Sequence, residues 1–293
     1  MDIGLIGCGR WGENILRDLT SLGCRVVVVA RSEESCGRAR KHPTTEIVKT
    51  IGELSGAVKG VVVATPTSTR MEVLAEAAKL NVPIFVEKPM ATSSVDAEEL
   101  VRNSSKMPPI FVMDKWRYHP GVEKLRDICL SNSLGSVRGL RIEDYGIGNP
   151  HPDVEPIWTY LPHDLAIATE ILGHVPSCYS SMGTLGGWSA FIHLDGSPWC
   201  TISFSRYENV RRRSIVMYCS SGTASLEDAY ADHVTVRFDD GASEDWKIST
   251  EMPLLRELKA FVGYLEGGLP PKSGILDGFS IVRSIEYVES RLS

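Results

Sequence analysis

Three short stretches of the chain hold groups that could do chemistry. The first is Gly7-Cys8-Gly9-Arg10-Trp11-Gly12, a G-x-G-x-x-G spacing. In such a turn the first glycine makes the tight bend, the second lets backbone approach a pyrophosphate, and the third lets helix and strand pack closely. Phosphate then rests on the amide-rich helix N-terminus. The second stretch is Glu87-Lys88-Pro89, which closes the apolar run from Pro83 to Val86. A lysine at the end of such a strand can donate to a carbonyl oxygen or a ribose hydroxyl, or it can simply leave the strand into water. The third is Leu161-Pro162-His163-Asp164-Leu165. Pro162 suits the first helical position and Asp164 the positive end of a helix dipole. That places His163 in a first turn, where the imidazolium is disfavoured and a neutral ring can give or take one proton near neutral pH. The alternative is a histidine that satisfies an amide or a loop carbonyl.

The elements that must hold these groups follow from periodicity. The apolar run Ile3 to Ile6 precedes the glycines, and Trp11, Ile15, Leu16, Leu19 and Leu22 recur at helical spacing up to a stop at Gly23. Arg25 to Ala30 is the next strand, which completes a β-α-β unit. After it, where an NAD site usually places an acid, stand Arg31-Ser32. Arginine can pair with a 2′-phosphate at about 1.5–3 kcal/mol, which favours NADP(H), or stack on adenine and leave NAD(H) possible. Val61 to Pro66 is a buried-type strand, Thr67-Ser68-Thr69 offers caps, and Met71, Leu74, Ala77 and Ala78 mark a helix closing near Asn81. Beyond about residue 118 the period changes to two. Leu140/Ile142, Cys200/Ile202/Phe204 and Val234/Val236/Phe238 alternate with polar residues, the pattern of an antiparallel sheet with one face on a core. A helix with Leu165, Ala168, Ile171 and Leu172 on its buried side carries His163. The expected fold is therefore an α/β, Rossmann-type doubly wound parallel sheet followed by an α+β domain with an open-faced, mainly antiparallel sheet.

The 293 residues carry a net charge of -6, which gives no sequence-independent hold on nucleic acid or anionic lipid. The run Arg211-Arg212-Arg213 reads as a solvated strand end or, alternatively, as an anion site. Seven scattered cysteines (Cys8, Cys24, Cys36, Cys129, Cys178, Cys200, Cys219) without a C-x-x-C pair fit a reducing compartment. No apolar run approaches membrane-spanning length and no signal peptide precedes the first strand, so a cytoplasmic protein is expected. A metal is not expected. His151 and Asp153 lie in the proline-rich loop Asn149-Pro150-His151-Pro152-Asp153, where loop polarity accounts for them. There is neither a nucleophile elbow nor a Walker-type loop.

Taken together, the glycine turn, Ala64-Thr65-Pro66, Glu87-Lys88-Pro89, Arg117-Tyr118-His119-Pro120, Pro162-His163-Asp164-Leu165 with Leu172-Gly173, Glu257 to Phe261 and the closing segment Ser280 to Ser290 resemble the Gfo/Idh/MocA oxidoreductase family. The resemblance spans nearly the whole chain. It implies a dinucleotide-binding domain over 1–117 and a substrate and oligomerisation domain over 118–293, with the last helix packing back near the junction. Cofactor contacts are implied for Gly7, Gly9, Arg10, Trp11, Gly12, Arg31, Ser32, Thr65, Pro66, Glu87 and Lys88. Substrate contacts are implied for Arg117, Tyr118, Thr159, Tyr160 and His163. His119, beside Pro120, reads as a structural turn residue.

The resemblance further implies an NAD(P)-dependent oxidoreductase acting on a sugar, polyol or sugar nucleotide, with Lys88 and His163 catalytic and a homo-oligomer, dimer or tetramer, as the assembly. With Arg31 favouring NADPH, reduction of a keto sugar is the expected direction. Many members carry Asp four residues before this histidine and again three after it; here those positions are Thr159 and Ala166. Threonine cannot act as a general base, so proton transfer falls to Lys88 or His163, with Tyr160 as an outside candidate. The alternative is a non-catalytic NAD(P)-binding sensor on the same fold.

Overall fold

The structure, a computed structural model, describes residues 1–42, 45–175, 178–194 and 196–292. The chain forms two compact units. One comprises Met1–Lys115 and Leu254–Val282, the other Trp116–Pro253 and Arg283–Ser293.

In the first unit six parallel strands, β1 (Asp2–Ile6), β2 (Arg25–Val29), β3 (Glu46–Val48), β4 (Gly60–Val63), β5 (Ile84–Glu87) and β6 (Ile110–Met113), pair in the order β3-β2-β1-β4-β5-β6. This is the doubly wound dinucleotide-binding order, and it reverses direction between β1 and β4, where ligands of such sheets lie. Beyond Arg25 at the start of β2, valine-rich β2 and β4 are apolar and buried because a parallel sheet is covered on both faces. The covering helices are α1 (Arg10–Ser21), α2 (Glu33–Arg40), α3 (Arg70–Ala78) and α4 (Ser94–Asn103). Gly23, the expected stop of α1, has φ 80°, and Asn81 beyond α3 has φ 55°. Thr69 at the start of α3 makes no side-chain cap; the segment Thr67–Thr69 is instead a 3-10 turn.

In the second unit α5 (Pro120–Ser131) and α6 (Pro156–Leu172) pack together beside an eight-stranded sheet. Its strands are β7 (Val137–Ile147), β8 (Cys178–Gly183), β9 (Ser189–Leu194), β10 (Trp199–Ser205), β11 (Tyr207–Cys219), β12 (Gly222–Leu226), β13 (His233–Phe238) and β14 (Ser243–Lys247). The order is β14-β13-β12-β11-β7-β10-β9-β8; β7 and β10 run parallel and every other pair is antiparallel. The period of two survives as alternating burial along β10 and the second half of β11. His119 caps α5, its Nδ1 accepting from the Gly121 amide at 3.1 Å, which is the structural role read for it.

The division differs from a cut at residue 117. Helix α7 (Pro253–Leu265) and the first turns of α8 (Ile275–Glu289) are part of the first unit. Leu254, Leu258 and Phe261 join the core formed by Leu5, Leu16 and Phe85, and the Phe85 and Phe261 rings stack at 4.9 Å. An amphipathic stripe states that a helix has an apolar face but not which core receives it, so local pattern left this segment with its sequence neighbours.

Candidate functional site

The glycine turn shows why each glycine stands where it does. Gly7 follows β1 with φ 95°, and a β-carbon there would lie 2.7 Å from the Ala64 carbonyl oxygen at the end of β4. A β-carbon on Gly12 would lie 2.5 Å from the Gly7 carbonyl oxygen. Gly9 is different, because a β-carbon on it would meet no protein atom within 4 Å. Packing demands glycine at 7 and 12 but not at 9, which leaves ligand approach as the reason for the middle one. Gly9 is also the N-cap of α1, and no side chain caps the helix amides there. Beside Gly7, the Thr65 hydroxyl is buried with no hydrogen-bond partner among the described residues. Uncapped amides, open space over Gly9 and an orphan hydroxyl at the sheet's switch point fit a dinucleotide pyrophosphate. Arg31, just past β2, is exposed and forms no ion pair among the described residues, while Ser32 is occupied as the N-cap of α2.

At the ends of β5 and β6 the charged residues form a cluster. Trp11 Nε1 donates to Glu87 Oε1, and the Lys88 amide donates to Glu87 Oε2 at 3.1 Å. Lys115 Nζ lies 4.2 Å from the centre of the Trp11 ring. Buried Arg70 donates to the Thr65 carbonyl at 2.8 Å and to the Pro89 carbonyl, tying the segments after β4 and β5 together. Lys88 itself is partly buried. Loss of hydration pushes its ammonium down to about 8, the charges of Lys115 and Arg70 act in the same direction, and Glu87 and Asp114 oppose them. A lysine so placed exchanges a proton within reach of neutral pH. Glu257 on α7 is fully buried, and its carboxyl oxygens have no hydrogen-bond partner among the described residues. Burial raises its pKa well above the ordinary value, and Glu87 and Asp114 add to the rise.

In the second unit the structure corrects the expectation for His163. Helix α6 begins at Pro156, not Pro162, so His163 sits in mid-helix and the dipole argument for a neutral ring lapses. Pro156 takes the first-turn position instead, and Pro162 is accommodated inside the helix. What singles out His163 is burial. Only Tyr160, His163 and Leu172 of α6 escape full burial, and residues 160 and 163 are neighbours at i, i+3. The Tyr160 hydroxyl donates to the Gly148 carbonyl at 2.9 Å, and its ring lies 3.6 Å under the Arg206 guanidinium. Thr159 is buried, and its hydroxyl donates to Asn149 Oδ1 at 2.9 Å. Asn149 Nδ2 in turn donates to the carbonyls of His151 and Val154. Arg117 pairs with Glu170 at 3.0 Å, and Tyr118 is buried.

The reading of Arg211-Arg212-Arg213 as a solvated end also needs correction. Arg211 and Arg212 are exposed, but Arg213 is buried between Asp144 and Asp164. Strand alternation turns every second residue inward, and an inward arginine must find carboxylates. The roles of Arg70, Lys115 and Arg206 went unnoticed for a related reason. Each is an isolated polar residue with no local pattern, made relevant only by what the fold brings to it.

Comparison with known proteins bears on the first unit above all. Residues 1–114 match the family model of an oxidoreductase family with an NAD-binding Rossmann fold. Inositol 2-dehydrogenase 2 of Saccharopolyspora erythraea is 29% identical over 183 residues, covering 59% of this chain and 54% of its own. The alignments span about half the length of the curated relatives matched. Among solved structures, UDP-N-acetylglucosamine 3-dehydrogenase from Acidithiobacillus ferrooxidans superposes with a TM-score of 0.84 at 18% identity, covering 100% of this chain and 97% of that one. A 3-ketoreductase from Actinomadura kijaniata, in complex with NADP and TDP-benzene, gives 0.87 at 15% identity over 100% and 98%. At such identities the likeness to these structures is one of fold.

Proposed function

We propose, from the match of residues 1–114 to the Gfo/Idh/MocA oxidoreductase model, that the protein transfers a hydride between NADP(H) and the carbonyl or hydroxyl carbon of a sugar, polyol or sugar nucleotide, working as an NADPH-dependent reductase of a keto sugar. The observation that carries this reading lies within one unit: an uncapped helix N-terminus over open Gly9, and a lysine with a depressed pKa at the end of β5, a strand on the same side of the switch point as β4.

A bound nicotinamide supplies the hydride. The chain's own residues do the rest. Amides at the start of α1, with Gly7, Gly9, Arg10 and Gly12, hold the pyrophosphate, and the Thr65 hydroxyl adds a donor or acceptor. Arg31 pairs with the 2′-phosphate. Lys88 of the first unit and His163 of the second are the proposed proton-transfer residues. Tyr160, half-buried beside His163, borders the substrate, while Thr159 and Arg117 shape the segments behind it. Exposed Met182 and Phe191, cross-strand neighbours on β8 and β9, support assembly of the second unit as a homo-oligomer. Light scattering that returned a monomer mass would remove that part.

The test is a pair of fluorescence titrations with NADPH and NADH, followed by keto sugars and sugar nucleotides added to the bound complex. Tighter binding of NADPH and oxidation by one compound are expected; equal dissociation constants would sink the cofactor preference. A sensor without turnover is the second reading, favoured by the buried, hydrogen-bonded Thr159 where an acid would serve catalysis. Lys88→Ala separates the two: an enzyme loses turnover with its fold intact, whereas a sensor shows altered binding alone.

A further inference from the structure

Helix α6 is buried on nearly all sides. A helix with one apolar stripe has one way to face its neighbours, but on a helix buried nearly all round, with Thr159, Asp164, Thr169 and Glu170 among its buried residues, apolar burial alone does not fix the rotation. Directional contacts must then choose the rotation. Around His163 they form a closed path. Asp164 Oδ1 on α6 pairs with Arg213 Nη1 on β11 at 3.2 Å, and Arg213 Nη2 reaches Asp144 Oδ2 on β7. Asp144 Oδ1 takes Arg206 Nη2 at 3.0 Å, and the Arg206 guanidinium returns to α6 on the Tyr160 ring. The path leaves the helix one residue after His163 and rejoins it three residues before. Its two arginines and two aspartates are all buried, and the Arg213 guanidinium is further fixed over the Trp116 ring at 4.5 Å.

We propose that Arg213 is a positioning residue for His163: by bridging Asp164 and Asp144 it sets the rotation of α6 and so the placement of the imidazole. The proposal rests on His163 taking part in the proposed reaction. A buried ion network contributes little net stability compared with apolar residues of the same size, because desolvation offsets attraction. Its value is geometric. The planar guanidinium is hydrogen-bonded to Asp144 and holds its charge 3.2 Å from Asp164, a placement an apolar side chain cannot reproduce and a lysine reproduces only in part. The Glu170 clamp, with Arg117 at 3.0 Å and Arg126 at 2.5 Å, remains to keep the helix docked when Arg213 is changed.

The experiment compares Arg213→Met, Arg213→Lys and Asp164→Asn with the exposed control Arg212→Met and with His163→Ala, all in the full chain. Two readouts are taken: steady-state kinetics with NADPH, and the His163 ring resonance, assigned by its loss in His163→Ala. Arg213→Met and Asp164→Asn are expected to lower kcat by roughly 10- to 100-fold, the scale set by small misplacements of a reacting group, with the NADPH dissociation constant unchanged. Arg213→Lys should recover part of the loss, and a variant combining Arg213→Met with Asp164→Asn should lose no more than the worse single one. Each should move the His163 resonance while Arg212→Met does not. An unmoved resonance in folded Arg213→Met and Asp164→Asn overturns the proposal, as does a kcat equal to that of the control. Full turnover in His163→Ala sinks the catalytic reading instead, and the resonance still decides whether Arg213 places the ring.

Discussion

At the scale of single residues, the side chains with displaced proton affinities give the sharpest predictions. Burial lowers the Lys88 ammonium to about 8, so it is charged below that pH and neutral above it. Reduction of a carbonyl consumes a proton, which requires the charged form. The kcat/KM for reduction should therefore fall above pH 8, and that for oxidation should rise to a plateau there. Glu87 is the first of the two charges that hold the value up. Glu87→Gln should shift both transitions to lower pH in stopped-flow pH profiles; an upward shift would refute the assignment. Glu257 bears on stability. Its folded pKa lies above the unfolded carboxyl value of about 4.3, so the folded state loses stability as pH rises past that value towards the folded pKa. Glu257→Gln keeps the shape without the titration. In calorimetry its melting temperature should gain on the native protein at pH 8 and not at pH 4.

The glycine turn and helix α6 are where element-scale reasoning applies. Gly12→Ala forces a β-carbon against the Gly7 carbonyl, so it should destabilise the protein by about 1–3 kcal/mol and abolish nucleotide binding. Gly9→Ala meets nothing in the protein, and φ -71° suits alanine. It should melt close to the native protein yet bind NADPH at least ten-fold more weakly, as read by titration; unchanged affinity would mean the phosphate lies elsewhere. For α6 the sequence located the helix but not its start. Pro162 carries a strong start signal, and it was overridden because the preceding turn, from Pro156, buries Ile157, Trp158 and Leu161.

Whole-molecule organisation turns on the return of α7 to the first unit. Phe261 stacks on Phe85 in that core, so Phe261→Ala should cost about 3–5 kcal/mol in urea denaturation. By the same argument a fragment of residues 1–117 should lack cooperative unfolding, because the faces that meet Leu254, Leu258 and Phe261 are left in water. A sharp, NADPH-stabilised melt from that fragment would show that α7 is dispensable to the nucleotide unit.

The sequence by itself determined the features written in local pattern: four of the six parallel strands as apolar runs, the second sheet as a period of two, the glycine turn, and Lys88 at the end of its strand. These are legible because period and turn chemistry act between residues close in the chain. Tertiary structure alone decided the rest. It buried Arg213 between two aspartates, set Arg70 across the segments after β4 and β5, occupied the Thr159 hydroxyl with Asn149, and sent α7 back to the first core. In each case the partner lies far along the chain, and a polar side chain or an apolar stripe states only that a partner is required, not where the fold will supply it.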